Sequence, residues 1–265
     1  MSEPKRVLGR NMYIVILEQV VHKAGGAHKF AQRCAAINLS SIWARLGEAD
    51  HLDVNFSFTD YKDVLSELKT AGVETWGYHK PRCPDKKHAA DEARAVCDWA
   101  QRYDLGGVIL DSERENRLRF LGGEAEAVLY TSLVRKGLDA LGKGLALSSH
   151  DRPSLHTDLP IPAFLKYVHD NCPQVYYHTD VPGRLNASVR DYSRIEPNNF
   201  KDRYKPTGNI TVRSDVALPD ARTCVQKAGE FIGLVKSHGF TAYSFWCWDE
   251  APDEIFDYLQ GEPVA

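Results

Sequence analysis

Residues 106–113 read GGVILDSE, in which an apolar run is followed at once by two carboxylates. The run that begins at Val108 is typical of a buried strand. Alternate residues of a strand point to the same face, so Asp111 and Glu113 share one face. Two like charges on one face are costly unless water, a cation, a hydrogen-bond donor or a shared proton relieves them. The function of this pair therefore depends on what the other strands carry at their ends.

Short apolar runs alternate with segments of helical periodicity along the 265 residues. The alternation predicts eight strands separated by helices, which is typical of a single (β/α)₈ TIM-type barrel occupying residues 1–265. A doubly wound sheet is the competing fold, and the absence of a G-x-G-x-x-G turn favours the barrel. The predicted strands cover residues 12–17, 40–47, 73–81, 106–113, 144–151, 173–180, 209–215 and 240–250.

Helix boundaries are clearest where a capping residue precedes the apolar period and glycine follows it. Such signals predict one helix that begins at Asp60 and ends at Gly72, and another between Asp220 and Gly239. A further helix is predicted over 161–172. The polar stretch 181–208, rich in Asn, Arg, Tyr and Pro, predicts an extended loop that contains at most one turn of helix.

Composition excludes several classes of partner. The formal net charge is -3, and no apolar run reaches the ~20 residues that span a bilayer, so we expect neither a nucleic-acid nor a membrane partner. Six cysteines are scattered without a C-x-x-C pair, and the first apolar run contains Glu18 and lacks a signal-peptide cleavage site. These features predict free thiols and a cytoplasmic protein. The oligomeric state is left open.

Each predicted strand begins apolar and finishes with polar or aromatic residues. In a TIM barrel the active site lies at the carboxyl ends of the strands. We therefore expect a polar cleft in which strand-end side chains bind the substrate. The candidate substrate-binding residues are Glu18, Arg45, His79, His150, Tyr177, His178, Trp248 and Asp249.

Glycoside cleavage suits such a cleft best. It requires one carboxyl group that stays protonated as an acid, and a second carboxylate or a substrate amide that stabilises the oxocarbenium centre. Glu113 is the candidate catalytic acid, and Asp111 is its neighbour, whose charge would raise the pKa of Glu113. The expected substrate is a polysaccharide or amino-sugar glycan, and the mechanism requires no metal and no cofactor.

The first half of the chain also resembles the lysozyme-type muramidases of glycoside hydrolase family 25. Those enzymes carry a DPNF segment, a helix that ends in AG, a GAYHF strand and a strand that ends in D-x-E. Here the matching segments are DVNF at 53–56, AG at 71–72, GYH at 77–79 and DSE at 111–113. The resemblance implies that Glu113 is the acid and Asp111 its partner, with Glu18 in place of the aspartate that ends the family's first strand. The last strand, YSFWCWDE, is similar to the Trp-bearing last strand of chitinase-like family 18 enzymes.

Two other functions remain open from the sequence. Histidines and carboxylates at strand ends are also a divalent-metal set, which suits a metal-dependent TIM-barrel hydrolase or isomerase built on His79, His150 and His178 with the pair. A non-catalytic carbohydrate-binding barrel is the third possibility, because a fold persists when catalysis is lost.

Overall fold

Parallel strands form one curved sheet in a computed structural model, which describes residues 3–114, 120–196, 198–212 and 217–263. The strands are β1 Gly9–Ile14, β2 Leu39–Glu48, β3 His51–Leu52, β4 Glu74–Lys80, β5 Gly107–Asp111, β6 Gly144–Ser148, β7 Asp170–Asn171, β8 Thr207–Asn209 and β9 Ala242–Trp246. The helices are α1 Leu17–Ala24, α2 Ala27–Ala36, α3 Tyr61–Thr70, α4 Lys86–Arg102, α5 Glu124–Ala140, α6 Ile161–Leu165, α7 Val181–Ile195, α8 Phe200–Arg203, α9 Ala221–His238 and α10 Asp253–Gly261.

The sheet order confirms the predicted TIM-type barrel. The strands lie in the order β7-β6-β5-β4-β2-β1-β9-β8, all pairs in this path being parallel, and the short β3 adds to β2 in antiparallel fashion. Parallel bridges from Asn171 to Tyr204 and from Gln174 to Thr207 join the segments of β7 and β8. These bridges close the ring, so the carboxyl ends of all eight parallel strands meet at one face.

Two layers of packed side chains follow from the alternation of strand residues. On β2, Ile42 and Ala44 point outward to the helices, whereas Trp43 points into the barrel. The barrel interior holds large rings, among them Trp76. A Cβ atom at Gly107 or at Gly144 would lie 2.4 Å or 2.2 Å from the Trp76 ring. The second glycine of GGVILDSE is therefore required because Trp76 fills the lower end of the barrel.

A buried arginine connects the first strand of the barrel to the last helix. Arg10 is 0% exposed, and its guanidinium donates to the Tyr243 hydroxyl over 2.9 Å. It also donates to the backbone carbonyl groups of Ile37, Leu259 and Glu262. Four of its five N–H donors are directed at oxygen atoms, so most of the hydrogen-bonding capacity of this buried charge is satisfied. Arg10 thereby ties α10 to the junction between β1 and β9.

Several predicted boundaries are wrong. The first strand ends at Ile14 rather than 17, the seventh lies at Thr207–Asn209 rather than 209–215, and the helix predicted over 161–172 stops at Leu165. The sixth strand is Asp170–Asn171, and only Gln174 of the predicted 173–180 forms a sheet bridge. Residues 213–215 of the predicted seventh strand lie outside the described residues.

The prediction of a loop over 181–208 is also wrong, because most of it is helical. The Asp180 carboxylate accepts from Gly183 N and caps α7, and Pro182 lies in the first turn, where its missing N–H costs nothing. Leu185 and Tyr192 are buried on one face of α7. The two helices predicted from Asp60 and Asp220 are confirmed as α3 and α9. None of the helices that the structure describes is long and apolar enough to cross a membrane.

Candidate active site

Asp111 and Glu113 lie together where β5 ends and are joined by one amide group. Nε2 of Gln174 donates to Oδ1 of Asp111 over 2.8 Å and to Oε1 of Glu113 over 2.6 Å. The same nitrogen lies 3.2 Å from Oγ of Ser148, at the end of β6. Asp111 is 5% exposed, whereas Glu113 is half-buried. The structure thus brings the predicted pair together, with Glu113 as the member that solvent and ligands reach.

The electrostatic environment of Asp111 favours its protonated form. Burial and, to a smaller extent, the nearby negative charge of Glu113 together raise the pKa of Asp111 to about 7. Nζ of Lys80 lies 3.8 Å from Oδ2 of Asp111 and opposes that rise. A carboxyl group with such a pKa keeps its proton up to near-neutral pH, so the pair can hold one proton between its two members.

Aromatic rings surround the pair from inside the barrel. Trp246, the last residue of β9, has its ring centroid 5.3 Å from that of Tyr13, 6.2 Å from Tyr78 and 6.3 Å from Tyr176. Trp246 is half-buried, so one part of its indole is open. Burial, with smaller contributions from Tyr13, Asp111 and Glu113, raises the pKa of the Tyr176 phenol, which places this ring beside the pair. The site is therefore a carboxylate pair lined by aromatic faces.

Arg45 lies at the same end of the barrel. It follows Trp43 on the inner face of β2, and its Nε donates to Oδ2 of Asp53 over 2.6 Å. Asp53 in turn accepts from the backbone N–H of Asn55 and so caps the short 3₁₀ helix Val54–Phe56. Arg45 is thus held in one orientation, one third of its side chain being exposed.

Three of the predicted binding residues instead stabilise the wall of the barrel. His79 is 0% exposed and bonds to the Ala49 carbonyl oxygen and the Tyr130 hydroxyl, and burial lowers its pKa to about 4. Trp248 packs between Phe30 and Phe256. Tyr177 packs on Phe231 of α9. All three face the helices and not the carboxylate pair.

Three further candidates make no contact with the pair among the residues that the structure describes. Glu18 was expected to end a strand, but it is an exposed residue in the first turn of α1. Asp249 accepts from the backbone N–H groups of Val15 and Ile16 over 2.7 Å and 2.8 Å, so it holds the end of β1. His178 is exposed on the loop before α7.

His150 lies closer to the pair through its backbone. It forms a parallel bridge with Gln174, and its ring stacks on that of His156 with centroids 3.6 Å apart. The metal set proposed from the sequence is not assembled, because His79 lies in the outer layer and His178 on the surface. Among the residues that the structure describes, no group of three metal-ligating side chains is present.

The site contains four residues that were not among the candidates chosen from the sequence: Lys80, Gln174, Tyr176 and Trp246. The alternation of strand residues could have found two of them. Gln174 and Tyr176 are two apart and face the pair, whereas Val175 and Tyr177 face outward. Trp246 is the last residue of β9, and Trp248 already belongs to a 3₁₀ turn.

Comparisons with known proteins support the fold. The catalytic domain of a chitinase from Pyrococcus furiosus aligns with a TM-score of 0.69 and 13% identity over 97% of this chain and 95% of its own. The spore cortex-lytic enzyme SleL from Bacillus cereus aligns with a TM-score of 0.68 and 11% identity over 96% of this chain and 74% of its own. A GH18 chitinase from Pseudoalteromonas aurantia aligns with a TM-score of 0.68 and 12% identity over 95% of this chain and 97% of its own. No protein-family model and no curated protein sequence matches the chain.

Proposed function

We propose that the protein is a glycoside hydrolase that cleaves an amino-sugar glycan, with Glu113 as general acid and Asp111 as its partner. The observation that carries this proposal is the pair of carboxyl groups held by one amide of Gln174. Because Asp111 is buried and Glu113 is reachable, Glu113 is the group that can meet a glycosidic oxygen.

The environment of the pair supports acid catalysis. The pKa of Asp111 is raised to about 7, so one proton remains on the pair at mildly acidic pH. Glu113 receives this shared proton from Asp111 and gives it to the glycosidic oxygen, and the electrons of the breaking C–O bond pass to that oxygen. The positive charge left at the sugar ring is stabilised by a carboxylate or by the substrate's own amide. Water then forms the new C–O bond at the sugar carbon and returns a proton to the pair, which completes the hydrolysis.

Aromatic rings at the site support a carbohydrate ligand. The partly open indole of Trp246 presents an apolar face of the kind that stacks on a sugar ring. The structural neighbours point the same way, since two chitinase structures contain chito-oligosaccharides. At 9–13% identity they establish the fold, and the activity is our proposal. They favour the family 18 resemblance of the last strand and give no support to the resemblance with family 25 muramidases.

The decisive experiment compares Glu113→Gln with Glu254→Gln, a matched variant of an exposed glutamate on α10. Release of reducing ends is followed with chito-oligosaccharides and with peptidoglycan glycan strands as substrates. We expect Glu113→Gln to lose about 10²–10⁴-fold in rate with an unchanged melting temperature, and Glu254→Gln to keep full activity. Unaltered turnover in Glu113→Gln would remove Glu113 from the mechanism.

Two further measurements separate the other functions. Activity that survives EDTA agrees with a mechanism based on the carboxylate pair, whereas loss that one divalent ion restores indicates a metal enzyme. Glycan binding without any product indicates a non-catalytic barrel.

We also propose that the protein acts in a reducing compartment such as the cytoplasm. All six cysteines are free thiols, and five of them are buried. Burial raises the pKa of Cys34, Cys83 and Cys247, which keeps these thiols protonated. Cell fractionation with an antibody to the protein tests the location.

A further inference from the structure

A cavity opens next to Tyr176, one of the aromatic residues of the candidate active site. It has a volume of 380 Å³ and lies between the loop after β6, the loop after β7 and the first turn of α7. This volume falls within the range of about 300–1,000 Å³ that is typical of ligand pockets. Tyr176 lines the cavity and also contacts Trp246 at the pair. A ligand bound over the pair therefore has this cavity as its neighbour.

Two arginines of this cavity share one buried carboxylate. Nη2 of Arg184 donates to Oδ1 of Asp151 over 2.9 Å, and Nε of Arg184 contacts Oδ2. Nε of Arg152 lies 3.8 Å from the same Oδ2. The Asp151 side chain is 3% exposed, whereas those of Arg184 and Arg152 are 36% and 38% exposed. The carboxylate is thus buried beside two partly exposed arginine side chains, and both arginines line the cavity.

The charged side chains at the cavity favour the binding of an anion. One negative charge on Asp151 faces two positive charges, so the group of three carries a net positive charge. Asp180 also lines the cavity, but its Oδ1 accepts from the backbone N–H of Gly183 at the beginning of α7. The N-terminal end of a helix offsets such a charge. Within the described part of the chain, Arg152 and Arg184 therefore share a single carboxylate, that of Asp151.

We propose that this cavity, here called the arginine subsite, binds a sugar unit that carries a carboxylate, and that the substrate is an acidic amino-sugar glycan. The proposal rests on the proposed function, because it names the substrate of that same site. A guanidinium group donates two parallel N–H bonds to a carboxylate, a geometry that a neutral hydroxyl cannot reproduce. Buried Asp151 fixes the orientation of Arg184, so less side-chain entropy is lost when the ligand binds.

The first experiment measures binding without catalysis. The Glu113→Gln protein is titrated by calorimetry with peptide-free peptidoglycan glycan strands, whose muramic units carry a free carboxylate. The same strands with that carboxylate methyl-esterified, and chito-oligosaccharides of equal length, are the neutral ligands. We expect the acidic strands to bind at least about 10-fold more tightly than either neutral ligand, and the difference to shrink at high salt. Equal dissociation constants for the three ligands would overturn the arginine subsite.

A matched pair of substitutions locates the preference. Arg152→Gln in the same background should bring the acidic strands to the affinity of the esterified strands and leave the neutral ligands unchanged. Arg190→Gln, which removes an exposed arginine of α7 away from the cavity, should keep the full preference. A preference that survives Arg152→Gln in a protein with an unchanged melting temperature would overturn the assignment. If Arg152→Gln does not fold, the comparison of the acidic and esterified strands still decides the proposal.

Hydrolysis by the unmodified protein separates this inference from the proposed function. Cleavage of acidic and esterified strands with equal kcat/KM would leave the glycosidase function standing and overturn the subsite. Preferential binding of acidic strands without any cleavage would support the subsite and contradict the glycosidase function.

Discussion

Nζ of Lys80 lies 3.8 Å from Oδ2 of Asp111, and the two side chains are 16% and 4% exposed. A cation and a carboxyl group that are both shielded from water influence each other more strongly than an exposed pair does. Lys80 thus counteracts the burial and the repulsion from Glu113 that together raise the pKa of Asp111. The proton affinity of the pair is set by this balance.

Removal of the Lys80 charge is expected to shift the pH dependence of activity. In Lys80→Met the pKa of Asp111 should rise, because the group that stabilises its charged form is gone. The pair then keeps its proton to higher pH, and the alkaline limb of the pH–rate profile should move upward by about one pH unit. Lys86→Met removes an exposed lysine of α4 and should leave the profile unchanged. Superimposable profiles for Lys80→Met and the unmodified protein would contradict this role.

Gln174 is expected to position both carboxyl groups. In Gln174→Leu the two carboxyl groups lose the donor that they share, and their positions are no longer fixed. We therefore expect kcat to fall by up to about 100-fold, which is the effect of a small misplacement of catalytic groups. Gln174→Glu would add a third carboxyl group and should be at least as damaging. The measurement is kcat on a cleavable glycan, with melting temperature as the control for folding. Full activity in Gln174→Leu would show that the amide bridge is dispensable.

Asp111 is expected to reduce stability as the pH rises. Its pKa is about 7 in the folded protein and about 3.9 in an unfolded chain, so below pH 4 both states are protonated and no difference arises. Between pH 4 and 7 the unfolded state loses the proton first, and the free energy of unfolding falls by up to a few kcal/mol. Asp111→Asn should therefore be more stable than the unmodified protein at pH 8 and gain little at pH 4.5.

Urea unfolding at the two pH values checks this expectation. Asp257→Asn, on the exposed side of α10, is the matched control and should show the same stability as the unmodified protein at both. Parallel stability curves for Asp111→Asn and the unmodified protein would mean that the Asp111 carboxyl group is not buried as described.

The two tryptophans of the last strand region are expected to separate binding from stability. Trp248→Ala leaves a cavity between Phe30 and Phe256 and should lower the free energy of unfolding by about 3–5 kcal/mol, with KM unchanged. Trp246→Ala removes the partly open ring beside the carboxylate pair and should raise KM by about 10-fold, which corresponds to about 1.4 kcal/mol of binding. An increase in KM for Trp248→Ala with none for Trp246→Ala would reverse the assignment.

The sequence predicted the barrel and the carboxylate pair because both depend on local pattern. Alternating apolar runs and helical periods are visible in any window, and D-x-E on a strand places two carboxylates on one face whatever surrounds it. The helix α7 was missed because its polar residues dominate the composition, while only a few buried side chains, such as Leu185 and Tyr192, carry the period.

The choice among aromatic and histidine residues could not be made from sequence alone. Tyr176 and Tyr177 differ only in which face of a short, irregular segment they occupy, and the strand there is two residues long. Trp246 lies at the site and Trp248 does not, because β9 ends at Trp246. The sequence makes His79 a candidate binding residue, but its two hydrogen bonds, to Ala49 and Tyr130, hold it in the layer outside the barrel. Element boundaries decide these assignments, and they depend on tertiary packing.

The connection made by Arg10 has a consequence for biosynthesis. As the chain leaves the ribosome, β1 can pair with β2 early, but its other neighbour, β9, and the carbonyl groups of Leu259 and Glu262 emerge only after the other strands of the barrel. Until then the nascent chain carries an open sheet edge and the Arg10 guanidinium without most of its acceptors. Such an edge is prone to pair with other chains. A ribosome that stalls before residue 242 therefore presents an aggregation-prone intermediate, and we expect general chaperones to associate with the nascent chain until residues 242–262 have emerged.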